Sequence, residues 1–81
     1  MVRIFYMSKL FATAYINWFD YELEMELVFA NSREEAMVAL LVKKEFDIDG
    51  EELNTIEQIK KFAFDGDCMV DAIEIGTFSN G

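Results

Sequence analysis

From Asp20 to Phe29 the chain alternates in strict period two, with Tyr21, Leu23, Met25, Leu27 and Phe29 set against Asp20, Glu22, Glu24 and Glu26. Successive side chains of a strand point to opposite sides, so this pattern predicts a half-buried β-strand with its apolar residues turned inward and its carboxylates outward. The preceding segments, Val2 to Met7 and Leu10 to Trp18, are β-branched and aromatic on both faces. They read as one long strand or two consecutive ones, bending at Ser8-Lys9 and turning tightly near Phe19-Asp20. A competing helical expectation attaches to the same stretch, because Leu10, Phe11, Ala14, Tyr15, Trp18 and Phe19 also recur at helical spacing.

At Asn31-Ser32 the periodicity changes. Ser32 can cap the first free N–H groups of a helix, Glu35 three residues on can complete a capping box, and Glu34 suits the positive end of the helix dipole. The helix is expected to run to about Phe46, with Ala36, Met37, Ala39, Leu40 and Leu41 packed on a sheet and Lys43 and Lys44 at its negative end. After Asp47-Ile48-Asp49-Gly50, a shorter helix carries Leu53, Ile56, Ile59 and Ala63 on one stripe, with Thr55 as an internal cap. Asp65-Gly66-Asp67 ends it. Met69 to Phe78 returns to strand, with Val70 and Ala72 on one face, Ile73 and Ile75 on the other, and Gly76 marking a bulge.

The predicted order is β-β-(β)-α-α-β: an α+β domain with an antiparallel sheet of three to four strands and two helices on one face. The other face is left for function. Eighty-one residues bury only about 60% of their unfolded surface, which is enough for one core, and 53% hydrophobic content with eight Phe fills it without staples. Pro is absent and Gly occurs four times, so nothing divides residues 1–81 into separate domains.

Composition then narrows the chemistry. The single Cys68 has no partner for an internal disulfide, which fits a reducing compartment, and no run approaches the roughly 20 apolar residues of a membrane span. A cytoplasmic protein is expected. Zero His removes the usual base near neutral pH and leaves Cys68 without an imidazole partner, and no glycine-rich phosphate loop occurs. Neither an enzyme nor a cofactor is predicted. Glu45, Asp47, Asp49 and Gly50 fall at the first, third, fifth and sixth positions of an EF-hand loop. The twelfth position, which should supply a bidentate Glu, is Ile56, so a dedicated metal site is not expected.

Sixteen Asp and Glu against seven Lys and Arg give a net charge of −9. Charge of that size favours basic partner surfaces and disfavours direct contact with nucleic acid or anionic membrane. Two patches concentrate it. Asp20, Glu22, Glu24 and Glu26 form a row with about 6.6 Å between neighbours on the outer face of their strand, and Asp47, Asp49, Glu51 and Glu52 crowd the turn between the helices. Beside the row, Trp18 and Tyr15 supply candidate aromatic anchors for an interface.

In size, charge, carboxylate row, α+β layout and lack of His-based chemistry, the chain resembles the small acidic inhibitors of phages and mobile elements, the anti-CRISPR and anti-restriction DNA mimics. The resemblance is one of class and rests on no shared motif. It implies a protein-binding inhibitor that occupies the nucleic-acid groove of a basic host protein, such as a CRISPR effector or a restriction enzyme. The second expectation is a small structural or regulatory interaction protein, a monomer or homodimer, that pairs through its aromatic surface or an open sheet edge, with acidity serving solubility.

Overall fold

The computed structural model describes residues 7–79, so the strand expected over Val2 to Met7 lies outside the described residues except at Met7. Three strands and two helices follow in the order β1 (Met7–Asn17), β2 (Glu22–Ala30), α1 (Arg33–Lys43), α2 (Ile56–Asp65) and β3 (Cys68–Ser79). The α+β class and the β-β-α-α-β order are those predicted. Leu10 to Asn17 is strand, and the helical alternative for that stretch is set aside.

The sheet order is β2-β1-β3, both pairings antiparallel, so the aromatic and β-branched β1 is the centre. Its first neighbour arrives by a tight turn in which Asn17 Oδ1 accepts from Phe19 N–H and Asp20 Oδ1 from Glu22 N–H. Asx side chains mimic backbone turns in this way. The second neighbour returns after both helices. Between Leu10↔Gly76 and Phe11↔Glu74 the register slips by one, leaving Ile75 as the extra residue of a bulge beside the glycine that suggested one.

Both helices begin on caps legible in the sequence. Ser32 Oγ accepts from Glu35 N–H at 3.1 Å, and Glu35 Oε1 accepts from Asn31 N–H, one residue before the cap. Thr55 is the true N-cap of α2 instead of an internal residue, and Gln58 completes its capping box. The helix α1 stops three residues short of Phe46, which is freed to fold back between Tyr15 and Phe62, with ring centroids 6.3 and 5.8 Å away. The break is made by Glu45 in the left-handed region at φ 69°.

The core lies between the helices and one face of the sheet. Met37, Leu40 and Leu41 of α1 and Ile59 and Ala63 of α2 pack onto Phe11 and Tyr15 of β1 and Val70 and Ala72 of β3. An 11-residue helix is about 16 Å long, so two short helices cover one side of this sheet and nothing is left in the described chain to cover the other.

Candidate functional site

Directly paired residues of antiparallel strands share a face, so the register identifies both sides of the sheet. Thr13 pairs with Glu26 and Ala72, and Tyr15 with Glu24 and Val70. Thr13, Tyr15, Val70 and Ala72 are buried under the helices, so Glu24 and Glu26 are on the helix side too. This reverses the sequence expectation for β2. Its carboxylates turn toward the helical layer, and Leu23, Met25, Leu27 and Phe29 turn away from it.

The reason is visible at the end of α1. Lys43 is ion-paired to Glu26, and Lys44 to Glu24 and, at 3.4 Å, to Glu26. Lys44 also lies over the ring of Tyr15, 5.2 Å from its centroid. The hydrogen bond from Lys43, with Lys44 beside it, holds Glu26 below the usual carboxylate range despite some desolvation. Contact with Glu24 and then Glu26 raises Lys44. The two lysines expected to serve the helix dipole thus serve β2, and half of the predicted carboxylate row is already engaged. Asp20 and Glu22 remain exposed at the turn.

The predicted anchors divide. Tyr15 is not a surface residue: it is 7% exposed, its hydroxyl lies 3.1 Å from Cys68 Sγ, and burial followed by that contact raises its pKa. Trp18 is half-buried, with its indole N–H enclosed and its ring edge-on to Tyr21 at 6.3 Å. Asp47, Asp49, Glu51 and Glu52 are all exposed, as predicted for the acidic turn, and Asp47 Oδ1 accepts from Asp49 N–H. Among the described residues no three His, Cys, Asp or Glu side chains are placed to share a metal ion. None of the helices among them is long and apolar enough to cross a membrane.

The opposite face carries the feature that sequence reading missed. Leu23, Met25, Leu27 and Phe29 of β2 and Met69 and Ile73 of β3 are each 47–66% exposed, on either side of Leu10, Ala12, Ala14 and Ile16 of β1, and Ile75 in the bulge next to them is 54% exposed. At about 100 Å² per large side chain, these seven present about 700 Å² of contiguous apolar surface. The largest patch on a typical monomer is about 300–600 Å². Because the central strand contributes Ala12 and Ala14 where its neighbours contribute Leu27, Met25 and Ile73, the middle of the face is an open groove of about 490 Å³, with Asp71 and Arg33 also in its wall.

Among the described side chains, Asp71 is the one polar group at a register position on this face. Arg33 Nη2 donates to it at 2.6 Å and Lys60 lies 3.5 Å away, which draws it to the sheet margin. Partial burial pushes its carboxyl up, but the Arg33 and Ala72 N–H hydrogen bonds with the nearby Lys60 outweigh that, so it sits below its ordinary value. Arg33 Nε also donates to Ala72 O, and Asp71 Oδ1 accepts from Ala72 N–H. One residue of an edge strand therefore has both backbone groups occupied by side chains, a barrier to a further strand adding there.

A signal for the face was present in the sequence. β1 and β3 are apolar on both sides, and a sheet with helices on one side can bury only one of them. The chain matches no protein-family model, and no curated protein or solved structure matches it.

Proposed function

We propose that this protein acts by noncovalent association through the sheet face that no described element covers, as a small interaction protein without chemistry of its own. The contiguous apolar surface across all three strands carries this reading. Exposed apolar area is the dominant favourable term in association, and a patch above the usual monomer limit, rimmed by charge, is the anatomy of a binding surface. The charge of −9 then keeps a chain with such a face soluble.

This favours the second sequence expectation over DNA mimicry. A mimic needs its carboxylates presented as a free array, whereas Glu24 and Glu26 are bound to Lys43 and Lys44 on the helix side. Of the carboxylates predicted to meet a partner, those outside these ion pairs are Asp20 and Glu22 and the four between Asp47 and Glu52, at two separate places in the chain.

The test compares two variants of the full chain by whatever specific association the wild type shows. Leu27→Asp/Ile73→Asp charges the face, and Asp47→Asn/Asp49→Asn/Glu51→Gln/Glu52→Gln neutralises the turn. Loss of association in the first and retention in the second is expected. The reverse result would overturn the face and restore an acidic binding surface.

A further inference from the structure

We infer that the occupant of the face left open by the described elements is a second copy of this chain, packed sheet on sheet as a two-fold dimer. The inference rests on the face being the binding surface, as proposed above, and names its partner.

The first support is area. Two patches of about 700 Å² set an upper bound of about 1,400 Å², against the 1,200–2,000 Å² of a standard stable interface; with β2 over the partner's β1 the residues of β3 flank the contact and are only partly covered. A largely apolar interface of this kind is characteristic of homodimers, which are richer in apolar area than transient contacts.

The second support is shape, and it comes from the register. Ala14 pairs with Met25 and Ala12 with Leu27, so in the middle of the face the large residues of β2 stand beside small ones of β1, whereas at the two ends Phe29 stands beside Leu10 and Leu23 beside Ile16. Consider a two-fold axis parallel to the strands and lying between β1 and β2. It places β2 of one copy over β1 of the other, Met25 over the partner's Ala14 and Leu27 over the partner's Ala12. The same operation does this twice. Ridge enters trough in both directions, the self-complementarity that a two-fold contact requires. Two such layers lie about 10 Å apart, within the reach of these side chains.

The alternative offset, with β3 over the partner's β1, is excluded by charge. Asp71 pairs with Ala14 on that side, so this arrangement would bury its carboxylate against the partner's alanine. With β2 over β1, no partner strand lies on Asp71; it and Arg33, ion-paired, form the wall of the groove beside the partner's Met25, and Lys60 lies behind them.

Charge also permits the pairing of two acidic chains. Glu22, Glu24 and Glu26 are on the far side of each sheet from the contact, so repulsion acts through two layers. Separations beyond about 8 Å are largely screened at physiological ionic strength. The dimer should therefore tighten as salt is raised, whereas a carboxylate surface bound to a basic partner should loosen.

Sedimentation velocity of the full chain between about 1 and 200 µM tests this, in 0.05 and 0.5 M salt, with folding of each variant checked by circular dichroism. A dimer that is stronger at high salt is expected for the wild type, and a monomer for Leu27→Asp. Ala14→Leu fills the trough while making the face more apolar. It should weaken dimerisation at least tenfold if ridge enters trough, whereas unspecific stickiness would leave the dimer intact or strengthen it, which would sink the proposed packing. A wild type that is monomeric at 200 µM overturns the second copy as occupant, and the face itself is then judged by its own variants. A dimer indifferent to both Leu27→Asp and Ala14→Leu overturns the sandwich and the face together.

Discussion

The two faces of the same sheet are built from the same three strands and differ in what meets them. On the helix side, β1 offers Phe11, Thr13 and Tyr15, all at or below 7% exposure, to two helices that bring Met37, Leu40 and Ile59. On the other side the same strand offers Leu10, Ala12, Ala14 and Ile16 to no element of the described chain. The helix side is also the more polar on β2, where Glu24 and Glu26 stand. Burial here follows the position of the helices and not the hydrophobicity of the strand face. A carboxylate is tolerated on the covered side because Lys43 and Lys44 reach it at the layer's open margin, where ion pairs stay hydrated.

The largest contrast should come from equal truncations on the two sides. Leu40→Ala, at a site 1% exposed, should cost about 2–5 kcal/mol in urea unfolding through lost burial and the cavity left behind. Leu27→Ala, 66% exposed, should cost less than about 0.5 kcal/mol when measured dilute enough to be monomeric. Equal costs would mean that the face is covered within a single chain.

Neighbouring residues of β1 give a finer version of the same comparison. Thr13 is fully buried and donates from Oγ1 to Glu26 O at 2.9 Å, so Thr13→Val should cost about 1 kcal/mol for the missing bond. Ala14→Ser, one residue along and on the other face, should change monomer stability by less than about 0.5 kcal/mol. Thermal unfolding at low concentration measures both.

The smallest effect concerns acid. Glu26 and Asp71 both have carboxyls held below their ordinary values, so their contributions are complete above the unfolded-state pKa and disappear as pH falls through the folded one. Stability should be level near neutrality and fall below about pH 4.5. Glu26→Gln should shallow that acid limb without affecting the neutral plateau by more than a small margin, as measured by urea midpoints from pH 7 to 3. Lys44 has the opposite sign: its raised pKa adds stability that is complete below 10.5 and is lost as pH rises beyond it.

Much of the fold could be read from local signals. The Ser32 and Thr55 caps, the breaks at Asp65-Gly66-Asp67 and near Phe19-Asp20, and the alternation in β2 depend on residues within a few positions of one another. Element order and α+β class follow from them. Thr55 was misplaced within its helix because Leu53 extends the apolar stripe backward, although 51–54 lies outside the helix. The candidate site was less legible. Alternation from Asp20 to Phe29 separates two sets of side chains and carries no label for which set meets the helices. The usual assignment, apolar inward, assumes that a sheet has one apolar partner.

The sequence by itself determined where strands and helices form, where they stop, and that β2 has one carboxylate face and one apolar face, because these are short-range matters of periodicity, capping and turn chemistry. Only the tertiary structure decided which face is covered. That depends on where α1 and α2 land after the β2 turn, a choice fixed by contacts such as Lys43 to Glu26, Lys44 to Glu24 and Arg33 to Asp71, between residues 17 to 38 positions apart in the chain. Those long-range contacts turned an acidic strand into an apolar surface.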